Sequence, residues 1–251
     1  MKIKFLGTGT SVGVPVIGCF CDVCTSNNPK NTRTRSSLYL ETDNSQFVID
    51  TSMDFRDQCL REEIEHLDFI LYTHAHADHI GGLDDIRPLT LEDQRIPAYG
   101  KPQSLKRIRS RFDYIFQDTP NDSWKPEIVL HELTETRKIM GVPIEPLPIW
   151  HGELKIYGYR VHNLAYISDV SKIPDSTFEK LENLDVLIID ALRQEPHPTH
   201  LTIDRAIQIS KKINPERTFF THMTHTIEHE HVSKQLPDTI ELAYDGLTFC
   251  L

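Results

Sequence analysis

Short runs of apolar residues, many of them alternating with polar ones, recur along the chain and indicate β-strands. A period of two is typical of a strand with one covered face. Such runs predict strands at KIKFLGTG, SSLYLET, QFVID, DFILYTH, IPAYG, EIVLHEL, VPIEPLPIW, LKIYGYRV, NLAYISD, DVLIIDAL, RTFFTH and ELAYDGLTF. Helical spacing of apolar residues predicts helices within DFRDQCLREEIEH, PQSLKRIRSRFDYIF, STFEKLENL, TIDRAIQISKKI and IEHEHVSKQL. The sequence therefore predicts an α/β protein with mixed strands.

The organisation of the chain predicts one domain over residues 1–251, because no repeat, low-complexity tract or Gly/Ser linker divides it. The stretch QDTPNDSWK is typical of a surface loop or an insertion and does not indicate a hinge. No run approaches the roughly 18 apolar residues of a membrane helix, and the N-terminus lacks the pattern of a signal peptide. We therefore expect a cytoplasmic protein without a membrane partner.

The charge of the chain bears on its partners. Its formal net charge is −10 and its isoelectric point is near 5.7. Affinity for nucleic acid that is independent of sequence needs a basic surface that releases counterions. We therefore expect no extended nucleic-acid partner.

The stretch YTHAHADHIGG carries the strongest chemical signal. His74 and His76 are two residues apart at the end of a predicted strand, so their side chains point the same way, whereas Asp78 and His79 follow a turn of the chain. Imidazole suits zinc and similar ions, and a carboxylate adds a hard, negatively charged ligand. The glycines that follow let the backbone pass close to the site. One turn can thus face two metal ions.

Four residues cannot complete two metal shells, so this motif predicts further ligands downstream. His151, Asp169 and His222 are candidates, because each follows an apolar run that predicts a strand. Residues at strand ends lie on loops that a rigid sheet positions, which is where chemistry is commonly carried.

Taken together, these motifs resemble the metallo-β-lactamase superfamily of binuclear hydrolases over nearly the whole chain. The resemblance implies a four-layer αββα sandwich in which two mixed sheets are flanked by helices. It also implies two divalent ions, zinc, manganese or iron. The implied ligands of the first ion are His74, His76 and His151, those of the second are Asp78, His79 and His222, and Asp169 bridges both.

A second cluster of ligand-type residues, in GCFCDVC, contains Cys19, Cys21 and Cys24. This spacing is too tight for a disulfide framework and suits one soft metal ion. With FLGTGTSVGVPVIGC, it resembles the branch that holds the cyclic-phosphate phosphodiesterase of bacterial phosphonate breakdown and, more remotely, a protein of pyrroloquinoline quinone biosynthesis. The resemblance implies a structural zinc ion completed by His225. Redox-active thiols are the alternative, although a thioredoxin-like context is missing.

Two divalent ions about 3.5 to 4 Å apart lower the pKa of a bridging water and hold it as hydroxide, the nucleophile of a hydrolysis. Asp78 is therefore expected to be catalytic as well as a ligand. His200 stands in EPHPTHLTIDRA, where, in phosphodiesterases of this family, a histidine reaches the substrate. An imidazole can protonate a leaving alkoxide. Alternatives are that His200 only positions the substrate, or that it neighbours a helix cap without touching substrate.

Other polar residues have weaker candidate roles. Asp50 and Asp190 follow apolar strands and could orient metal-bound imidazoles, and Asp54 could do the same or cap a helix. Arg35 is a weak candidate for binding a phosphate oxygen, with a solvated arginine as the alternative. His229 and His231 are expected to be solvated.

The leading functional hypothesis is a metal-dependent phosphodiesterase acting on a small or cyclic phosphodiester. A lactone or thioester hydrolase is the alternative within enzymes, and a non-hydrolytic metal-binding accessory protein of cofactor biosynthesis is the alternative from another class. The sequence leaves a homodimer open and does not identify the native substrate or the physiological metal.

Overall fold

Two mixed β-sheets of seven strands each form the centre of the fold. The computed structural model describes residues 1–90, 95–118 and 124–251. Strands are numbered along the chain, and the first sheet has the spatial order β14-β1-β2-β3-β4-β5-β6. It contains β1 (Lys2–Gly7), β2 (Ser37–Glu41), β3 (Gln46–Ile49), β4 (Phe69–Tyr72), β5 (Ile96–Gly100), β6 (Ile128–Glu132) and β14 (Thr248–Cys250).

The second sheet has the order β13-β12-β11-β10-β9-β8-β7. Its strands are β7 (Arg137–Ile139), β8 (Val142–His151), β9 (Leu154–Val161), β10 (Leu164–Ile167), β11 (Val186–Asp190), β12 (Arg217–Thr221) and β13 (Ile240–Leu242). At one end of each sheet, four neighbouring strands pair antiparallel. They run from β14 to β3 in the first sheet and from β7 to β10 in the second. The remaining pairs are parallel. The sheets thus share one layout.

Helices cover the outer faces of both sheets, so the layers run helix, sheet, sheet, helix. The α-helices are α1 (Phe55–Glu62), α2 (Ala77–Ile80), α3 (Pro102–Arg111), α4 (Asp113–Phe116), α5 (Asp175–Phe178), α6 (Ile203–Ile213) and α7 (His229–Ser233), with 3₁₀ segments at Pro29–Asn31, Gly81–Thr90 and Glu179–Leu181. One apolar cluster joins the two sheets, for example Phe5 and Phe219, and two others join each sheet to its helices. The predicted αββα sandwich is confirmed.

The pattern of strands differs from its prediction at the C-terminus. The run ELAYDGLTF, predicted as one strand, holds parts of two strands that belong to different sheets, β13 and β14. The chain reverses at Gly246, whose φ of +87° favours glycine. The side chain of Asp245 is 10% exposed there and accepts hydrogen bonds from the backbone N–H groups of Thr8 (3.0 Å) and Thr34 (2.8 Å). The prediction of a single strand is therefore wrong.

Several short elements also differ from the prediction. Strand β7, helix α2 and the 3₁₀ segments Pro29–Asn31 and Gly81–Thr90 were not predicted. Most of the predicted loop at 117–125 lies outside the described residues.

In the three described stretches of the chain, none of the helices has the length and apolar character needed to span a membrane.

Candidate metal centre

The motif that follows β4 is built from an extended segment and a short helix. His74 and His76 lie between the end of β4 and the start of α2, and Asp78 and His79 lie within α2. The chain then passes close to another loop. A Cβ at Gly82 would lie 2.3 Å from the carbonyl oxygen of Ser52, so only glycine fits this position. The packing of the following turn therefore fixes the direction of the helix that carries Asp78 and His79.

A first cluster of ligand atoms consists of His74, His76 and His151. His74 Nε2 lies 2.9 Å from His76 Nδ1. His151, the last residue of β8, brings its ring to within 5.6 Å of the His74 ring and 5.2 Å of the His76 ring, measured between centroids. The three ligand atoms all lie within 4.8 Å of one another. The second sheet thus supplies a third imidazole to the pair from the first sheet.

The second cluster consists of Asp78, His79, Asp169 and His222, all of them buried. His79 Nε2 lies 3.3 Å from Asp78 Oδ2 and 3.2 Å from Asp169 Oδ2, and His222 Nε2 lies 3.4 Å from Asp169 Oδ1. Four ligands placed tetrahedrally at zinc–nitrogen or zinc–oxygen distances are separated by roughly 3.3 Å. His79 Nε2 is buried and has no hydrogen-bond partner among the described residues. Both observations fit a divalent ion at this position.

Asp169 connects the two clusters. It belongs to the second cluster, and it also lies within 4.8 Å of the ligand atoms of His151 and His200. Its backbone, like those of Asp50 and His222, is left-handed, with φ of 57°, 66° and 59° respectively. Such a conformation costs of order 1–3 kcal/mol at a residue other than glycine. Surrounding contacts hold these three strand-end residues in turns that direct their side chains inward.

Hydrogen bonds to the outer nitrogens determine how two of the imidazoles face the centre. His79 Nδ1 donates to Asp50 Oδ2 over 2.7 Å, and His151 Nδ1 donates to the backbone oxygen of Thr199 over 3.0 Å. Neither a carboxylate oxygen nor a backbone carbonyl oxygen can donate a proton, so Nδ1 carries the hydrogen in each ring. The Nε2 atoms are left with lone pairs for a metal ion.

His222 is oriented through a hydroxyl group. Ser36 Oγ donates to the carbonyl oxygen of Gly9 over 3.0 Å, and it lies 3.2 Å from His222 Nδ1. Because its single proton is committed to Gly9, the hydroxyl accepts from His222 Nδ1. The Nε2 atom of His222 thus faces Asp169.

The charges of the second cluster reinforce one another. Burial alone would raise the pKa of Asp169, but the neighbouring His222 and His79 outweigh it and hold the pKa well below its usual value. Burial would lower the pKa of His79, but Asp169, Asp78 and Asp50 outweigh it and hold the pKa well above its usual value. Asp50, Asp78 and Asp169 thus surround His79 with buried negative charge, which either a protonated imidazole or bound divalent cations in its place would balance.

His200 adjoins both clusters, just before α6. Its Nδ1 donates to Asp190 Oδ2 over 2.9 Å, and its Nε2 lies 4.0 Å from Asp169 Oδ1. Burial lowers the pKa of His200, but Asp190 and then Asp169 outweigh it, so the net pKa is raised. Asp190 was expected to orient a metal-bound imidazole, whereas in the structure it orients His200.

Arg35 and Asp54 bind each other. Arg35 Nη1 donates to Asp54 Oδ1 over 2.9 Å, and its backbone N–H donates to Asp54 Oδ2 over 2.8 Å. In the described part of the chain, the Asp54 side chain makes no capping bond to α1. The roles suggested for Asp54, as a cap or beside a metal-bound imidazole, are therefore replaced by this ion pair, and phosphate binding by Arg35 stays a prediction.

Two histidines outside the clusters were expected to be solvated. His231 is exposed, but His229 is only 4% exposed and lies beside Tyr244. The expectation is therefore wrong for His229, because the short helix α7 packs this side of its first turn against the protein.

The three cysteines of the N-terminal loop surround His225. His225 Nδ1 lies 3.3 Å from the Sγ atoms of Cys19 and Cys21 and 3.6 Å from that of Cys24. Sulfur and nitrogen ligands of a tetrahedral zinc ion are separated by roughly 3.5 Å. The backbone N–H of Cys24 and the side chain of His225 lower the pKa of Cys21 to about 6, which favours the thiolate there, whereas burial raises the pKa of Cys24 to about 11. The arrangement fits a closed Cys₃His zinc site.

Sequence patterns did not reveal the residue that holds the His225 segment. Arg33 is 1% exposed, and its guanidinium donates to the carbonyl oxygens of Thr224 (3.0 Å) and Ile227 (2.8 Å), on either side of His225. Burial lowers the pKa of Arg33 to about 10. An arginine among polar residues carries no sequence signal of burial, so only the structure identifies this contact.

Replacement of Cys21 by serine is expected to release the ion of the Cys₃His site and to lower the melting temperature, since the binding free energy of a structural zinc contributes to folding. Zinc content and thermal unfolding measure both effects. Cys250→Ser, at an exposed cysteine outside the cluster, is the matched control. If activity disappeared while stability and zinc content stayed unchanged, Cys21 would be a catalytic thiol instead.

Several known proteins are similar to this chain in sequence or in fold. A family model described as beta-lactamase superfamily domain matches residues 45–223. A crystal structure described as a new diphosphatase from the PhnP family is 42% identical, with a TM-score of 0.93 over 100% of this chain and 97% of that one. Zn²⁺-bound PqqB from Methylobacterium extorquens has a TM-score of 0.82, with all of both chains covered, at 20% identity, which supports the fold alone.

An octanoyltransferase of Porphyromonas gingivalis is 37% identical over 98% of this chain. The chain spans 51% of that protein's length. The similarity therefore concerns about half of the larger protein.

Proposed function

The chain belongs to the beta-lactamase superfamily, and from this membership we propose that it is a binuclear metal-dependent phosphodiesterase that hydrolyses small or cyclic phosphodiesters. The 42% identity to a PhnP-family diphosphatase supports a phosphorus-containing substrate. The observation that carries the proposal is the His200–Asp190 pair beside the two metal-ligand clusters, which provides a proton donor next to the reacting centre.

Two divalent ions would be held by the clusters described above, with Asp169 shared. When bound, they would lower the pKa of a coordinated water and neutralise charge that develops on the phosphate oxygens. Imidazole and carboxylate ligands suit zinc or manganese, and iron also fits. The separate Cys₃His site, which has no open position, would hold a structural zinc ion.

The chain's own residues would orient the substrate and move protons. Asp190 accepts from His200 Nδ1, so Nε2 is the ring atom available to a substrate. Its 4.0 Å separation from Asp169 Oδ1 places Nε2 beside the shared carboxylate. We infer that His200 Nε2 donates a proton to the leaving oxygen, which turns an alkoxide into an alcohol.

A substrate panel tests the reaction class. One preparation is assayed with bis(p-nitrophenyl) phosphate, an alkyl phosphodiester, a homoserine lactone and S-acyl-glutathione. We expect turnover of the phosphodiesters above that of the other two classes. Turnover of the lactone or thioester alone would contradict the proposed substrate class.

Thioester hydrolysis is the second candidate function, and the similarity to an octanoyltransferase favours it. The buried histidine and carboxylate clusters suit hydrolysis, and an octanoyl thioester joins the panel as the specific probe. Preferential turnover of that probe would favour this candidate. No turnover of any substrate, with one metal ion per chain or fewer at the histidine clusters, would favour a non-hydrolytic accessory protein.

The remaining expectations concern the cellular location, the partners and the oligomeric state of the protein. We propose a cytoplasmic location and a small-molecule substrate, with no extended nucleic acid as a partner. A homodimer also stays a prediction.

A further inference from the structure

Thr73 lies between the carboxylate of Asp50 and the imidazole of His74, and all three side chains are fully buried. The backbone N–H of Thr73 donates to Asp50 Oδ1 over 2.8 Å, and its hydroxyl donates to Asp50 Oδ2 over 2.8 Å. The same hydroxyl oxygen lies 3.0 Å from His74 Nδ1. Thr73 therefore touches a ligand of the first cluster and a carboxylate next to the second.

The direction of each hydrogen bond follows from the number of protons. A threonine hydroxyl has one proton, and here it goes to Asp50. The hydroxyl can then only accept from His74, so Nδ1 of His74 carries the hydrogen and Nε2 has the free lone pair. Asp50 Oδ2 accepts directly from His79 Nδ1 over 2.7 Å, which has the same consequence for His79.

We propose that Thr73 is a positioning residue. Through its hydroxyl, Asp50, which orients a ligand of the second metal position directly, also orients a ligand of the first. One carboxylate thereby orients one imidazole in each cluster, directly at His79 and through the Thr73 hydroxyl at His74. The proposal rests on the metal centre of the proposed function and adds to it a residue with a role of its own. Partners of metal ligands at this distance typically contribute 10- to 100-fold in metal affinity.

The test compares two Thr-His pairs of the chain. Thr73→Val removes the hydroxyl with little change in volume, and Thr73→Ser retains it. Thr221 precedes His222 as Thr73 precedes His74, and it is equally buried, but its Oγ1 has no hydrogen-bond partner in the described stretches. Thr221→Val is therefore the matched control for loss of a buried hydroxyl beside a ligand.

Zn²⁺ affinity of the whole chain is measured by competition with a chromophoric chelator. The His222→Ala background reports on the first position, and the His151→Ala background reports on the second. We expect Thr73→Val to weaken the first position 10- to 100-fold and the second much less. Thr73→Ser and Thr221→Val should stay near the parent, and Asp50→Asn should weaken both positions. Absorption of Co²⁺ at the first position should change in Thr73→Val alone among the threonine variants.

Unchanged affinity at the first position in Thr73→Val, or a loss no larger than in Thr221→Val, would overturn the proposal. Equal losses at both positions in Thr73→Val would also overturn it, because they would indicate general loosening of the fold. If the His222→Ala protein bound no ion at its histidine clusters before Thr73 was changed, the metal centre itself would fail, and the positioning role would fail with it.

Discussion

Replacement of Asp78 by alanine is expected to abolish turnover and to lower the metal content by about one ion per chain. His222→Ala should do the same, because each side chain belongs to the second cluster. Asp78 Oδ2 lies 3.3 Å from His79 Nε2, and His222 Nε2 lies 3.4 Å from Asp169 Oδ1. Loss of either ligand opens the shell of one ion and leaves the negative charge of Asp169 less well balanced. Elemental analysis and turnover of bis(p-nitrophenyl) phosphate measure the two effects.

The fold should tolerate both changes, since the apolar clusters between and outside the sheets do not include these side chains. His231→Ala, at an exposed histidine outside the metal-ligand clusters, is the control for loss of an imidazole. Unchanged metal content at the Cys₃His site and an unchanged thermal transition would separate a local effect from unfolding. Full activity with full metal content in Asp78→Ala would remove Asp78 from the ligand set.

Local signals in the sequence predicted the mixed strands, the helices and the residues that gather at the centre, whereas the αββα order of the layers was implied by the resemblance of the motifs to a known family. Alternating or continuous apolar runs mark strands wherever a sheet has a covered face. His74, His76, Asp78 and His79 lie within six consecutive positions, so one turn suffices to bring them together. His151, Asp169 and His222 could be recognised because each stands at or just after the end of a strand.

The sequence could not predict which distant groups hold these residues. Asp50 and Asp190 both follow apolar strands, yet one contacts His79 and the other contacts His200. That difference depends on the left-handed turn at Asp50 and on how the loop before α6 returns to the sheet. The hydroxyl of Thr73 acquires its role from three-dimensional contacts, as do the contacts of Arg33. Polar contacts across the sheets have no periodic signature along the chain.

Replacement of His200 by alanine is expected to slow alkyl phosphodiesters by roughly 10²- to 10⁴-fold, the range that general acid catalysis contributes. The departing alkoxide then lacks the proton that His200 Nε2 would supply. Both metal ions should remain, because the hydrogen bond of His200 goes to Asp190 and not to a residue of either cluster. Turnover rates and metal content are measured on the same preparation.

The nature of the leaving group distinguishes proton donation from positioning. A p-nitrophenolate leaves without a proton, so His200→Ala should slow p-nitrophenyl diesters much less than alkyl diesters. Equal losses on both would mean that His200 only positions the phosphate, and no loss on either would remove it from the reaction. Asp190→Asn is the companion variant, because an amide can present an N–H to His200 Nδ1 in place of the carboxylate oxygen and thus favour the wrong tautomer. If Asp190 acts through His200, its replacement should also slow alkyl diesters more than p-nitrophenyl diesters, and it should add little when His200 is already alanine.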